Sequence, residues 1–264
     1  MDDILKKILA TKHEEIAERM QSLPLSEIRI LAQSKTETRD FLEQIKKSAS
    51  QNTPAVIAEI KRASPSKGII REHFDPIEIA LSYERHGATC LSILTDSQYF
   101  QGSDNFIAQV KEQVNLPILR KDFIIDPYQV YEAKILGADC ILLIVAALKV
   151  EKLAELFDLA TTLELDVLVE VHDITELEQA LKLNIEMVGI NNRNLKTFET
   201  SLTTTIDLLY NIPSSVTVVT ESGIKNSEDI SLMRANNVNC FLVGETFMRA
   251  EDPGIALKEL FYPV

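Results

Sequence analysis

The sequence predicts an α/β fold, a (β/α)8 TIM barrel with an N-terminal helical extension, on three observations. From Ala55 onward, eight short apolar segments alternate with amphipathic ones, the pattern of a parallel sheet covered by helices. Several apolar segments are nearly continuous in Val, Ile and Leu, as expected for strands buried on both faces. Eight such units within about 200 residues favour a closed barrel. An open, doubly wound sheet is the alternative, because periodicity alone does not establish closure.

The helical extension is predicted over residues 1–54. Three segments in it carry apolar residues at helical spacing, namely 3–20, 26–32 and 38–49. Ile4, Leu5, Ile8 and Leu9 form such an apolar face in the first segment, and the barrel is the partner available to cover it. No Gly/Ser-rich linker follows the extension. We therefore expect a single domain over residues 1–264, with the extension packed on the barrel.

The strands and helices of the barrel follow from local signals. The eight strand candidates are 55–61, 90–96, 117–123, 140–148, 166–172, 187–194, 216–223 and 240–247. Asp-Pro pairs at 75–76, 126–127 and 252–253 place a capping aspartate before a proline at the first position of a helix. Gly87 and Gly137 stand where helices are expected to end.

The composition excludes several classes of protein. The 264-residue chain has a formal net charge of -13 and no Lys/Arg-rich run, which argues against a nucleic-acid partner. Its longest apolar stretch, 140–148, is too short to cross a bilayer, so no membrane partner is expected. The N-terminus carries acidic residues from position 2 instead of an apolar signal core. We expect a cytoplasmic protein.

The three cysteines do not form a metal or disulfide pattern. Cys90, Cys140 and Cys240 are odd in number, and each stands at the start of a predicted strand. We interpret them as small buried hydrophobic residues. The four histidines are scattered, so no metal site is predicted.

Polar residues cluster at the carboxyl ends of the predicted strands, where a barrel of this kind has its active site. In chain order the polar residues are Glu59, Lys61, Ser64, Lys121, Glu170, Asn191, Arg193, Glu221 and Ser222, and the glycines Gly223 and Gly244 belong to the same candidate site. Lysines and glutamates together in a pocket require paired charges and tuned pKa values. We expect a desolvated lysine to act as an acid near neutral pH, and Glu170, between apolar neighbours, to have a raised pKa. The alternative is a structural layer of salt bridges.

The ends of the seventh and eighth strands predict a phosphate site. Ser222-Gly223 and Gly244 stand where many barrels bind phosphate through the backbone N–H groups of glycine turns and a short helix. Two ordinary turns are the alternative. Glu245 follows Gly244, and we expect its side chain to point away, because a carboxylate aimed at a phosphate would repel it.

Six segments resemble the indole-3-glycerol-phosphate synthases, in the order and spacing of that family. They are IAEIKRASPSKG (57–68), ILRKDFIIDPYQVYEAK (118–134), LVEVHD (168–173), GINNRNL (189–195), TESGI (220–224) and LVGETFM (242–248). The resemblance extends from about Glu37 to Met248. EIKRASPSKG and NNRNL are highly specific, whereas TESGI is shared with other phosphate-binding barrels.

The resemblance implies a carboxy-lyase of tryptophan biosynthesis. Its substrate would be 1-(o-carboxyphenylamino)-1-deoxyribulose 5-phosphate, and its products indole-3-glycerol phosphate, CO2 and water. No cofactor and no metal are expected. The partner would be this small phosphorylated substrate, with no nucleic acid and no membrane. We expect a monomer, with other enzymes of the pathway as the alternative partners.

The resemblance also assigns roles to residues. Lys121 would be the general acid at the ribulose carbonyl, and Lys61 would lie by the substrate carboxylate. Glu170 and Glu59 would be acid/base residues. Asn191 and Glu221 would orient the substrate, Ser222, Gly223 and Gly244 would bind its phosphate, and Ser64 and Arg193 would support them. Which lysine donates a proton at which step is left open.

Two other functions remain open at this point. The first is another phosphate-binding barrel enzyme, either a phosphoribosylanthranilate-type isomerase or a Schiff-base aldolase that uses Lys121. Such an isomerase needs a cysteine and an aspartate at strand ends, whereas each cysteine here starts its strand. The second is a non-catalytic barrel that binds a ligand or acts as a scaffold. Loss of a strand-end lysine or glutamate would favour it, and none is lost.

Overall fold

Eight parallel strands form a closed barrel in the computed structural model, which describes residues 4–35, 37–194 and 197–263. The strands are β1 (Ala55–Ile60), β2 (Cys90–Leu94), β3 (Ile118–Lys121), β4 (Cys140–Ile144), β5 (Asp166–Val171), β6 (Met187–Asn191), β7 (Thr217–Glu221) and β8 (Cys240–Val243). Each pairs with the next along the chain, and β1 pairs with β8, with Ala55 opposite Cys240. The predicted closed barrel is confirmed, and the open sheet is excluded.

Helices cover the outside of the barrel and form the N-terminal extension. They are α1 (Ile4–Ser22), α2 (Leu25–Ser34), α3 (Phe41–Ser50), α4 (Pro76–Arg85), α5 (Ser97–Phe100), α6 (Asn105–Lys111), α7 (Pro127–Leu136), α8 (Val150–Thr162), α9 (Ile174–Ala180), α10 (Thr203–Leu209), α11 (Ser227–Ala235), α12 (Glu245–Met248) and α13 (Pro253–Phe261). Asp75, Asp126 and Asp252 each accept a backbone N–H bond from the first turn of their helix, as predicted. Gly87 and Gly137 have φ values of +95° and +92°, which end α4 and α7 in the left-handed region that glycine adopts without strain.

The predicted strands extend past the observed ones, and 140–148 and 240–247 do so the furthest. The candidate 140–148 leaves the sheet after Ile144, and Val145–Ala147 form a 3₁₀ turn. The candidate 240–247 ends at Val243, and α12 follows. Val145 and Phe247 are apolar because they are buried in the core. Continuous hydrophobicity therefore marked burial in these segments, not pairing with a neighbouring strand.

The inside of the barrel has an apolar layer at the amino ends of the strands. Cys90, Cys140 and Cys240 are buried there, and Phe41 of α3 packs against the same cluster. The Cys90 thiol donates a hydrogen bond to the carbonyl oxygen of Phe41. The interpretation of the three cysteines as buried hydrophobic residues is confirmed.

The N-terminal helices pack against the barrel, mainly on α7. Ile16 and Ile28 form a buried cluster with Ile125 and Tyr128. The described part of the first helix begins at Ile4, so residue 3 of the predicted segment lies outside the described residues. Within the described ranges, no helix is long and apolar enough to span a bilayer. The expected cytoplasmic location and the single domain stay predictions.

One ion-pair cluster joins α1 to the barrel. Lys12 is almost fully buried, and its Nζ lies 2.8 Å from Asp96 Oδ2 and 3.0 Å from Asp122 Oδ1. Asp96 precedes α5 and Asp122 follows β3, so both stand just beyond strand ends. The cluster therefore attaches α1 at the end of the barrel where the polar residues collect.

Candidate active site

A cavity of about 930 Å³ opens at the carboxyl ends of the strands. All eleven residues that the sequence analysis placed in the site line it. They are Glu59, Lys61, Ser64, Lys121, Glu170, Asn191, Arg193, Glu221, Ser222, Gly223 and Gly244. Leu195, the last residue of the GINNRNL segment, lies outside the described residues.

Four ionisable side chains in the cavity come from alternate strands. Glu59 is on β1, Lys121 on β3, Glu170 on β5 and Glu221 on β7. In an eight-stranded barrel, side chains from alternate strands point inward at one level. Lys121 Nζ lies 3.2 Å from Glu221 Oε2 and 3.4 Å from Glu170 Oε2. The lysine therefore bridges two carboxyl groups across the barrel.

Lys61 and Asn191 complete this cluster. The Lys61 ammonium donates a hydrogen bond to Glu59, and Asn191 Nδ2 donates one to Glu170 Oε1 at 3.2 Å. Asn191 and Glu221 lie opposite each other in the register of β6 and β7. The pairing of β6 with β7 thus positions the Asn191 amide next to Glu170 and Glu221, the carboxyl pair of the site.

The pKa prediction for Glu170 is wrong. Burial favours its neutral form, but the charges of Lys121 and His172 and the hydrogen bond from Asn191 lower its pKa below the ordinary value. Burial instead raises the pKa of Glu221 to about 8, against the opposing charge of Lys121. Glu221 Oε1 is also buried without a hydrogen-bond partner among the described residues. Contacts across the barrel, not the apolar neighbours along β5, therefore decide which carboxyl keeps a proton.

The charge balance explains this assignment. Three buried carboxyl groups, Glu59, Glu170 and Glu221, face the two ammonium groups of Lys61 and Lys121. A third negative charge would lie unpaired in a poorly solvated site. One proton on the Glu170–Glu221 pair leaves two carboxylates and two ammonium groups.

Lys121 does not fit the expectation of a lysine that releases its proton near neutral pH. Burial alone would lower its pKa, but Glu221, Glu170 and Glu59 together raise it above the usual lysine value. Lys121 is therefore a stable cation before a ligand binds. It can donate hydrogen bonds and stabilise negative charge on an oxygen atom.

The predicted phosphate end of the cavity has the expected backbone shape. Ser222 and Gly223 both have positive φ, +63° and +92°, directly after β7. Gly244 precedes the four-residue helix α12. Gly244 has φ of -129°, so its conformation does not require glycine. The constraint at Gly244 is space, because a Cβ built there would overlap the carboxylate of Glu59.

Glu245 differs from the expectation that it would point away from this end. It lines the cavity, where its Oε2 lies 3.2 Å from Arg193 Nη2 and its Oε1 lies 3.0 Å from Arg249 Nη2. Its negative charge is therefore compensated by two guanidinium groups. Arg193 and Arg249 are held together at the edge of the site as a result.

The family of the chain is shown by its similarity to known proteins. The family model described as indole-3-glycerol phosphate synthase matches residues 5–260. The chain belongs to this family. An indole-3-glycerol phosphate synthase from a Polaromonas species is 56% identical over 261 residues, which cover 99% of each chain. The family predicted from six short segments is confirmed.

Solved structures share the barrel at much lower identity. KGPDC from Streptococcus mutans superposes with a TM-score of 0.61 at 13% identity, over 78% of this chain and 94% of that chain. Tryptophan synthase subunit alpha from Legionella pneumophila gives 0.61 at 12% identity, over 86% of this chain and 97% of its own. These likenesses show the fold alone.

The apolar wall of this synthase-family cavity was missed at the sequence level. Phe100 and Phe123 line it with ring centroids 6.1 Å apart, and Leu142 lines it as well. Ile4 and Leu5 of α1, on the apolar face that was predicted to pack against the barrel, line the same cavity. In the sequence Phe100, Phe123 and Leu142 resemble ordinary core positions. Phe123 stands two residues after Lys121, and residues at this spacing lie on the same face of a strand. This spacing was the one signal that could have indicated the aromatic part of the wall.

Proposed function

We propose that this chain converts 1-(o-carboxyphenylamino)-1-deoxyribulose 5-phosphate into indole-3-glycerol phosphate, CO2 and water. This is a carboxy-lyase reaction in tryptophan biosynthesis. Membership of the indole-3-glycerol phosphate synthase family supports the proposal. The observation that carries it is the layer of Lys121 with the buried carboxyl groups of Glu59, Glu170 and Glu221, which opens into a cavity with one apolar wall.

The cavity has a region suited to each part of this substrate. The ring system of the substrate would lie against Phe100 and Phe123, which offer aromatic faces and edges. The phosphate would bind at the other end, on the turn of Ser222 and Gly223 and at Gly244, with Arg193 and Ser64 nearby. The two regions would place the substrate across the charged layer.

Lys121 would promote ring closure. The carbon of the aromatic ring that bears the carboxylate attacks the ketone carbon, and negative charge develops on the ketone oxygen. A cation that donates hydrogen bonds at this oxygen lowers the barrier. Glu221, which holds the proton of the Glu170–Glu221 pair beside Lys121, would transfer it to this oxygen to form a hydroxyl. Lys121 is suited to this step because its neighbours keep it charged.

The other residues would serve the two eliminations. Loss of CO2 returns the electrons of the broken carbon–carbon bond to the ring, with Lys61 beside the departing carboxylate. Loss of water then needs a proton on the leaving hydroxyl and a base for the neighbouring carbon. Glu170 is ionised and held by Asn191, so it can act as that base. Glu59 holds Lys61, which can supply the proton.

The purified chain with this substrate provides the test. We expect indole-type fluorescence to appear together with one equivalent of CO2, and a product with the mass of indole-3-glycerol phosphate. No fluorescence and no CO2 would exclude the proposal. Borohydride trapping with a sugar phosphate should leave Lys121 unmodified, because a covalent adduct there would indicate a Schiff-base aldolase.

A further inference from the structure

His172 lies directly behind Glu170, outside the cavity lining. Its Nε2 is 3.5 Å from Glu170 Oε1, the oxygen that also accepts the Asn191 amide. Its Nδ1 is 3.1 Å from Glu176 Oε2, and its backbone N–H donates to the same oxygen at 2.8 Å. The ring is mostly buried, with 14% of the side chain exposed.

Glu176 is itself fixed in the first turn of α9. Its backbone N–H donates to Oδ1 of Asp173, the capping residue of that helix, at 2.9 Å. The histidine ring is therefore held from behind by a carboxylate that is anchored in a helix. Such an arrangement sets the orientation of the ring toward Glu170.

Both ring nitrogens of His172 face carboxylate oxygens, Nδ1 of Glu176 in a hydrogen bond and Nε2 of Glu170 at ion-pair distance, with no hydrogen bond to Nε2 among the described residues. A neutral imidazole has one N–H and one lone pair, so one nitrogen would turn a lone pair toward an oxygen that is also an acceptor. A doubly protonated imidazolium has a donor on each side. The geometry therefore favours the charged ring.

We propose that His172 is a positioning residue that, as an imidazolium held by Glu176, keeps Glu170 ionised and oriented, so that the proton of the carboxyl pair stays on Glu221. This inference rests on the proposed role of Glu170 as a base.

The charges around the ring agree with this role. Glu170, Glu176 and Glu221 are the acidic groups that act on His172 from β5, α9 and β7. Burial disfavours the charged ring, but the hydrogen bond to Glu176 and the charge of Glu170 outweigh it and raise the pKa of His172. Lys121 is the cation on the cavity side of Glu170, and His172 is the cation on the opposite side.

The test is the pH dependence of kcat/KM for wild type, His172→Gln and His172→Lys. Loss of the charge in His172→Gln should move the acidic limb, where Glu170 takes up a proton, upward by about 1 pH unit. His172→Lys restores a cation and should move the limb back toward wild type. If His172 acted only by packing or hydrogen bonding, His172→Gln would keep the acidic limb closer to wild type than His172→Lys. His73→Gln, at an exposed histidine, is the matched control and should keep the wild-type profile.

A folded His172→Gln protein with the wild-type limb would overturn the inference. NMR of the wild-type imidazole nitrogens gives a second measurement that needs no variant at this position. At about pH 7 both nitrogens of His172 should carry protons, and a neutral ring would also overturn the inference. A wild-type protein that forms no product would instead refute the proposed function and leave the NMR result unaffected.

Discussion

Gly244 lies so close to Glu59 that a β-carbon on the glycine would overlap the carboxylate. The two residues end neighbouring strands, β8 and β1. Gly244 was expected to bind the phosphate. In the structure, the lack of a side chain at Gly244 also leaves room for the buried carboxylate of Glu59, which pairs with Lys61. Phosphate binding and acid/base chemistry are therefore adjacent at this point in the barrel.

Gly244→Ala should impair the chemical step. Displacement of Glu59 and its partner Lys61 should lower kcat at least ~10-fold, since a shift of about 1 Å in a reacting group can cost 100-fold. Steady-state kinetics, with circular dichroism to check folding, provides the measurement. An unchanged kcat would show that Glu59 can move without consequence.

Gly223→Ala should instead weaken anion binding. Gly223 has φ of +92°, and a Cβ there would come within 2.9 Å of Thr200 Cγ2, so the turn after β7 must change shape. We expect the Ki of inorganic phosphate to rise at least ~10-fold, about 1.4 kcal/mol, with a smaller effect on kcat. Equal Ki values in the wild type and the variant would move the phosphate site away from β7.

Glu221→Gln should change how stability depends on pH. The folded pKa of about 8 exceeds the ordinary 4.5, so the folded protein binds this proton more tightly than the unfolded chain. The resulting stability is complete below about pH 4.5 and is lost as the pH rises through about 8. Glutamine resembles the protonated acid, so the variant should lose less stability over this range. At pH 8 the free energy of unfolding of the variant should exceed that of the wild type by on the order of a few kcal/mol, because one pKa unit corresponds to about 1.4 kcal/mol.

Urea denaturation at several pH values between about 4.5 and 8 measures this effect. Glu178→Gln, at an exposed position on α9, is the control and should follow the wild type. If Glu221→Gln loses stability as steeply as the wild type, the proton of the carboxyl pair is not on Glu221.

The barrel and the residues that line its active-site cavity could be predicted from the sequence because both depend on local signals. Alternating apolar segments and Asp-Pro helix starts determined the order of elements. The geometry of parallel strands then placed Glu59, Lys121, Glu170 and Glu221 at one end. The spacing of the motifs was sufficient to place these residues together, because the carboxyl ends of the strands meet at one end of a barrel regardless of loop conformation.

Properties that depend on contacts across the barrel were not accessible in this way. The neighbours of Glu170 along the chain are apolar, but Lys121, His172 and Asn191 reach it in space and reverse the expected pKa direction. The space that Gly244 leaves for Glu59 is likewise a relationship between two strands distant in sequence. The burial of Lys12 has the same origin, because its two partners come from the barrel.

Lys12→Ala should destabilise the protein and loosen α1. The substitution leaves Asp96 and Asp122 without the ammonium group that lies 2.8 and 3.0 Å away, and both aspartates are buried. Removing one partner of a buried ion pair costs about 3 kcal/mol or more. The free energy of unfolding in urea should fall by about that amount. Lys6→Ala, at an exposed position of the same helix, should leave it nearly unchanged, and equal values for both variants would contradict the docking role of Lys12.

Lys121→Ala, with Lys61→Ala beside it, tests the central claim most directly. The claim is that Lys121, a cation held by Glu170 and Glu221, promotes ring closure at the ketone. Measured on the folded variant, kcat for indole-3-glycerol phosphate formation should fall at least ~100-fold, with a much smaller change in substrate Kd. Lys121→Arg should not restore it, because a planar guanidinium is larger than an ammonium group and cannot take the same place between Glu170 and Glu221. A Lys121→Ala protein with wild-type kcat, and loss of activity in Lys61→Ala instead, would contradict the account and assign ring closure to Lys61.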